Sequence, residues 1–123
     1  MNYDWSDKTI LIAEDEQTNY NYLVAVLENT KAKVIRAKNG EDAVQIIKSN
    51  EISLVLMDIR MPELSGYEAI LKIKAYNKKM PIVAQTAYAM FDDKDRIVKA
   101  GCDDFLAKPI RPALLIETIA KYF

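Results

Sequence analysis

The sequence predicts a doubly wound α/β domain built on one parallel sheet, and three observations carry that reading. Five short apolar runs recur along the chain, helical patterns fill the gaps between them, and charged or hydroxyl residues stand where four of the runs end. Strand–helix alternation of this kind implies parallel strands joined by crossover helices. Right-handed crossovers then put helices on both faces of the sheet.

The runs are Thr9–Ala13, Lys33–Ala37, Ser53–Met57, Pro81–Gln85 and Asp104–Ala107. TILIA, SLVLM and PIVAQ are almost wholly apolar, as interior strands covered on both faces should be. KVIRA is more mixed and reads as an edge strand. Tyr20, Leu23, Val24 and Leu27 follow the i, i+3, i+4, i+7 spacing of an amphipathic helix. Ala43, Ile46 and Ile47 carry part of the same stripe, as do Tyr67, Ile70 and Leu71. Leu115, Ile119 and Tyr122 line a last helix whose first turn suits Pro112. Met90–Ala100 differs: MFDDKDRIVKA bears charge nearly all round, so its helix should be weakly held, on an exposed surface or in a part that moves.

At 123 residues the chain reads as one domain, with residues 1–7 a linker or N-terminal extension. A chain this long buries roughly two-thirds of its unfolded surface and needs neither disulfide nor metal to fold. A formal net charge of −1 leaves no basic footprint for nucleic acid or an anionic membrane. No apolar run approaches the ~18 residues of a membrane span, and MNYDWSDK is no signal peptide. The single Cys102 excludes an internal disulfide and fits a reducing compartment. The expectation is a soluble, cytoplasmic domain. The chain holds no histidine, which removes the usual general base, the commonest transition-metal ligand and every Ser-His or Cys-His pair. Its chemistry must rest on carboxylates, hydroxyls and lysines.

In doubly wound sheets ligands meet the carboxyl ends of the strands. Glu14, Asp15 and Glu16 follow the first run, Asp58 and then Arg60 the third, Thr86 and Ala87 the fourth, and Lys108-Pro109 the fifth. Crowding Glu14, Asp15 and Asp58 is unfavourable without a cation, because like charges oppose joint ionisation. Oxygen ligands alone, without His or Cys, select a hard ion, Mg²⁺ or Mn²⁺. A metal with open positions, an ammonium and a hydroxyl are the equipment of phosphoryl transfer. Carboxylates can form aspartyl phosphates, and Asp58, ending the central strand, is the natural nucleophile.

Each residue also has a plainer reading. Acids after a strand often serve the first turn of the next helix. Asp58 alone would be a turn residue and Lys108 a surface lysine. It is their coincidence at four strand ends that favours a site. Gly40 and Gly66 read as structural, with Gly66 releasing the turn beside Asp58. Cys102 reads as a small buried residue, Lys72–Lys79 as a solvated helix end, and Trp5 as packing on the domain's edge.

With Glu14–Asp15, SLVLMDIRMPELSG around Asp58, QTAYA around Thr86 and AGCDDFLAKPI around Lys108, the chain resembles the receiver (response-regulator) domains of two-component signalling over essentially its full length. The resemblance implies a flavodoxin-like sheet of order 2-1-3-4-5 with five helices. It implies that Asp58 accepts a phosphoryl group from a phosphohistidine on a histidine kinase or histidine phosphotransfer domain. Asp15 and Asp58 would bind Mg²⁺ directly with the backbone carbonyl of Arg60, and Glu14 mostly through water. Thr86, Ala87 and Lys108 would hold phosphoryl oxygens, with Thr86 and Phe105 as the switch pair and Lys108–Pro109 a cis peptide. Glu14 stands where many members have Asp, and Phe105 lacks the hydroxyl of the frequent Tyr. Arg60 and Tyr88, two residues past Asp58 and Thr86, are large enough to screen the phosphoryl group from water, which implies slow self-dephosphorylation. The domain would thus be a phosphoacceptor that labels itself from a donor, not an enzyme acting on other substrates. Partners or a second copy would bind the face formed by residues 90–100, 104–107 and 110–122.

No output domain follows Phe123 in the sequence, so the resemblance allows either a stand-alone receiver or one cut from a larger protein. The opening WSDKTILIAEDE, with QTAYAM and AGCDDFLAKPI, resembles receivers that follow the kinase core of hybrid histidine kinases. Three rivals fare worse. An aspartate-nucleophile phosphatase would need a second acid where Arg60 stands, and arginine stays charged. A pseudo-receiver would lack Asp58, the metal acids or Lys108. A nucleotide-binding fold would need a glycine-rich loop after the first strand.

Overall fold

The computed structural model describes residues 3–61, 64–87 and 91–123, with the side chains of 91–94 left aside. Five strands form one parallel sheet: β1 (Thr9–Ala13), β2 (Lys33–Ala37), β3 (Leu54–Asp58), β4 (Ile82–Thr86) and β5 (Asp104–Ala107). Their order is β2-β1-β3-β4-β5, all pairs parallel, with KVIRA at one edge as its mixed pattern predicts. The helices are α1 (Gln17–Leu27), α2 (Gly40–Ser49), α3 (Gly66–Tyr76), α4 (Phe91–Ala100) and α5 (Pro112–Ala120). This is the flavodoxin-like architecture.

Side chains alternate across a strand, and here the alternation sorts two cores. Ile10, Ile12, Leu54, Leu56, Val83 and Leu106 lie under α1 and α5 with Leu23, Leu27, Leu115 and Ile119. Leu11, Ala13, Val55, Met57, Ile82 and Ala84 lie under α2, α3 and α4 with Val44, Ile70, Ile73 and Ile97. Trp5 belongs to the first core: it is 5% exposed, its backbone N–H donates to the Thr30 carbonyl (2.7 Å), and its ring meets Phe123 edge-on.

Four details depart from the expectations above. Strands three and four begin and end one residue later, so Asp58 and Thr86 are the last residues of β3 and β4. The ladder carries on through them, for Asp58 is in register with Gln85 and the Lys108 N–H donates to the Thr86 carbonyl (2.7 Å). Leu71 is 53% exposed, because the buried row of α3 runs through Ala69, Ile70 and Ile73, and Leu71 sits about 100° round from Ile70. Tyr122 lies beyond the end of α5 at Ala120. The lysine-rich segment is no mere solvated end: Lys74 Nζ donates to the Met80 carbonyl (2.7 Å) and to Asp103 (2.8 Å). Asp103 in turn accepts from the Ile82 N–H (2.8 Å), so one ion pair ties α3 to the start of β4. Of the segment expected as Met90–Ala100, Met90 lies outside the described residues, as does Tyr88.

Gly66 is needed for a reason other than turn freedom. A Cβ there would collide with the Asp58 carbonyl oxygen and come within 2.6 Å of Ile59 Cα. The first turn of α3 therefore lies directly against the backbone that carries Asp58. Ser65 caps it, its hydroxyl accepting from the Glu68 N–H (3.3 Å) and donating to the Glu68 carboxylate (3.2 Å).

Candidate functional site

Counting two residues past an inward-facing apolar residue on each strand gives the site. Ile12 leads to Glu14, Leu56 to Asp58, Val83 to Gln85 and Leu106 to Lys108, all on the α1/α5 side by alternation. Ala84 leads to Thr86 on the opposite side, which Phe105, partly buried and in register with Ala84, shares. The acids and the lysine thus meet on one side of the strand ends, and the two residues of the expected switch meet on the other.

Asp58 is 4% exposed; Lys108 Nζ stands 3.3 Å from one of its carboxylate oxygens, and the Arg60 N–H donates to the other (3.1 Å). The same ammonium is 3.6 Å from Glu14. Glu14 is 1% exposed. One of its oxygens accepts from the Asn19 side-chain amide, the other from the Glu16 N–H (3.3 Å). Burial, and then the Asp58 hydrogen bond and charge, push the Glu14 carboxyl up to about 7, against the opposing pull of Asn19 and Lys108. Neither acid caps α1, whose N-cap is Glu16 without a side-chain bond, so the plainer reading of Glu14 and Asp15 fails here.

Glu14, Asp15 and Asp58 each present a carboxylate oxygen within 4.8 Å of the others. Three carboxylates this close, with one ammonium shared between two of them, make a donor set that suits a hard divalent cation. They line an open cleft of about 390 Å³ with Glu16, Arg60, Ala87 and Lys108. A second hollow adjoins it, lined by Asp15, Arg60, Thr86, Tyr67 and Arg96. The Lys108–Pro109 peptide is cis, as expected.

Three residues that sequence reasoning passed over also shape the site. Arg36, on the edge strand, donates to the carbonyls of Glu14 (3.2 Å) and Asp15 (3.3 Å) and stacks on Tyr20, clamping the loop that bears both acids. Asn19 donates to Gln85 (3.3 Å) as well as to Glu14. Gln85 itself is wholly buried. Its signal was available, for an amide stands in a strand whose other inward positions are apolar.

Residues 10–120 match the family described as the response regulator receiver domain. A polar-differentiation response regulator, DivK, of Brucella anthropi is 35% identical over 117 residues, 94% of this chain and 95% of that protein. The receiver domain of a Pseudomonas aeruginosa sensor histidine kinase, solved with magnesium in its active-site cleft, is 32% identical with a TM-score of 0.88, covering 94% of this chain and 96% of that one. The receiver of the Saccharomyces cerevisiae response regulator Ssk1, solved with the phosphotransfer protein Ypd1, is 33% identical with a TM-score of 0.88, over 94% and 88% of the two chains.

Proposed function

The chain belongs to the response regulator receiver family, and on that premise we propose that Asp58 is the phosphoacceptor of a two-component relay, served by a magnesium site at Glu14, Asp15 and Asp58. The observation that carries this is the Lys108 ammonium 3.3 Å from a buried Asp58 carboxylate, beside two further acids.

Magnesium at this cluster would neutralise charge on the phosphoryl oxygens. On the family pattern the backbone carbonyl of Arg60 would be a further ligand. Asp58 supplies the electron pair. One of its oxygens forms a bond to phosphorus as the phosphorus–nitrogen bond of a donor phosphohistidine breaks and the imidazole keeps that electron pair. Lys108 pairs with the acceptor carboxylate before transfer and with a phosphoryl oxygen after it, so its charge follows the reaction. Thr86 and the Ala87 backbone hold the remaining oxygens. Thr86, on the far side of the sheet, is drawn toward the new group, and Phe105 turns into the space it leaves.

The α4 helix then shifts. Among its described side chains only Ile97 and Ala100 are buried, and Val98 is 60% exposed, so few apolar contacts resist movement. The face of residues 90–100, 104–107 and 110–122 is the readout surface and a place for a second copy to bind. Histidine kinases or histidine phosphotransfer domains are the donors, as Ypd1 accompanies Ssk1. Among the described residues no helix is long and apolar enough to cross a membrane. A cytoplasmic, hybrid-kinase setting and slow self-dephosphorylation through Arg60 and Tyr88 complete the proposal.

The test is labelling with acetyl phosphate or phosphoramidate, read by intact mass. One acid-stable, base-labile phosphoryl group is expected, only with Mg²⁺, and none in Asp58→Asn. Labelling that persists in that variant overturns the assignment.

A further inference from the structure

Glu14 is the acid of the cluster with the most elaborate support. Lys108 is shared with Asp58, so the grip on Glu14 that does not depend on the acceptor comes from the Glu16 N–H and the Asn19 amide. An asparagine amide can present either its nitrogen or its oxygen, and only the nitrogen suits a carboxylate. The Glu14 carboxylate, which can only accept, turns the Asn19 nitrogen toward itself. Gln85 is oriented to match: its Oε1 accepts from the same Asn19 Nδ2 (3.3 Å), which holds the amide from its far side.

Gln85 is 0% exposed, yet its Nε2 is without a hydrogen-bond partner among the described residues. A leucine or valine would fill a core strand without stranding a buried donor, so packing alone gives a poor account of an amide here. A role toward Asn19 gives a better one. We propose that Asn19 and Gln85 are positioning residues: an amide relay from β4 to α1 that fixes the Glu14 carboxylate at the magnesium site. The proposal rests on the metal-site reading above. Bonds of this kind behind metal-site acids are worth ~10–100-fold in affinity.

Mg²⁺ titration followed by amide NMR or calorimetry tests it, on wild type, Asn19→Ala, Gln85→Met, the double variant and Asp15→Asn, with a melting curve of each in the absence of Mg²⁺. Asn19→Ala should weaken Mg²⁺ binding ~10-fold. Gln85→Met, which keeps the volume, should weaken it less, and the double variant should bind no more weakly than Asn19→Ala, because Gln85 acts through Asn19. Asn19→Gln, which retains the amide, should recover part of the loss. Wild-type affinity in folded Gln85→Met and Asn19→Ala overturns the relay, as do losses that simply add. If Asn19→Ala fails to fold, Gln85→Met decides alone: unchanged affinity with a lowered melting temperature would make Gln85 a packing residue only. Wild-type affinity in Asp15→Asn would instead overturn the metal site itself, a separate failure.

Discussion

On the α1/α5 face, Ile10, Ile12, Leu23, Leu54, Leu56, Leu115 and Ile119 are all without exposed surface, and Glu14 and Asp58 stand at the ends of those same strands, with Lys108 just past β5. At the α4 end of the other face, the described part of the helix buries Ile97 and Ala100, exposes Val98, and rests Arg96 on the Tyr67 ring at 3.9 Å. The contrast teaches where a switch can be built. A site that must hold charged groups to within an ångström needs the dense side, and a surface that must change at small free-energy cost needs the sparse one. Thr86 and Phe105 stand on the side that carries α4, one residue out of phase with Gln85 and Leu106 on the acid-bearing side.

The largest effects should come from the dense face. Leu56→Ala should cost about 2–5 kcal/mol by chemical denaturation, as wholly buried leucines do. A loss under about 1 kcal/mol would show that this face is not rigidly packed.

Next comes the ammonium beside Asp58. Lys108→Ala should slow labelling by small phosphodonors ~10²-fold, since it removes a full charge beside the proposed acceptor. Thr86→Ala should still label but lose the response of the α4 face. NMR with beryllofluoride reads that response: in wild type, large shifts are expected over residues 86–100 and around Phe105, and little over 31–50. Equal labelling losses in the two variants would erase the division between chemistry and switch.

A smaller effect concerns pH. The Glu14 carboxyl is raised from the ordinary 4.5 to about 7, so the folded protein holds its proton more tightly than the unfolded chain does. Its contribution to stability is full below about 4.5 and is lost as pH rises through about 7. Mg²⁺ at the proposed site would compete with that proton, so the melting-temperature gain from Mg²⁺ should grow between pH 5.5 and 8. Glu14→Gln should flatten the growth; an unchanged pH dependence in that variant would move the titration to another group.

The smallest effect belongs to the sparse face. Val98→Ser should change stability by no more than about 0.5 kcal/mol. A larger loss would mean that α4 is held by more than its described contacts.

Local pattern was enough to place the strands within one residue, to name α1, α2 and α5 by their apolar spacing, and to put Asp15, Asp58, Thr86 and Lys108 at strand ends. Periodicity reports what a residue does for its own element, and strand ends are set by the same apolar runs that make the strands. Partners across elements are another matter. Asn19 meets Gln85 across 66 positions, Arg36 reaches the carbonyls of Glu14 and Asp15 from the neighbouring strand, and Lys74 reaches Asp103 across 29. Leu71 was mistaken because two apolar stripes are open to α3 and only packing against the sheet selects Ile70 with Ile73. The elements and the strand-end positions of the candidate site residues were legible in the sequence, since both depend on neighbours in the chain. Which amides, cations and carbonyls hold those residues follows from strand register and helix docking, which bring distant positions together and which no local spacing records.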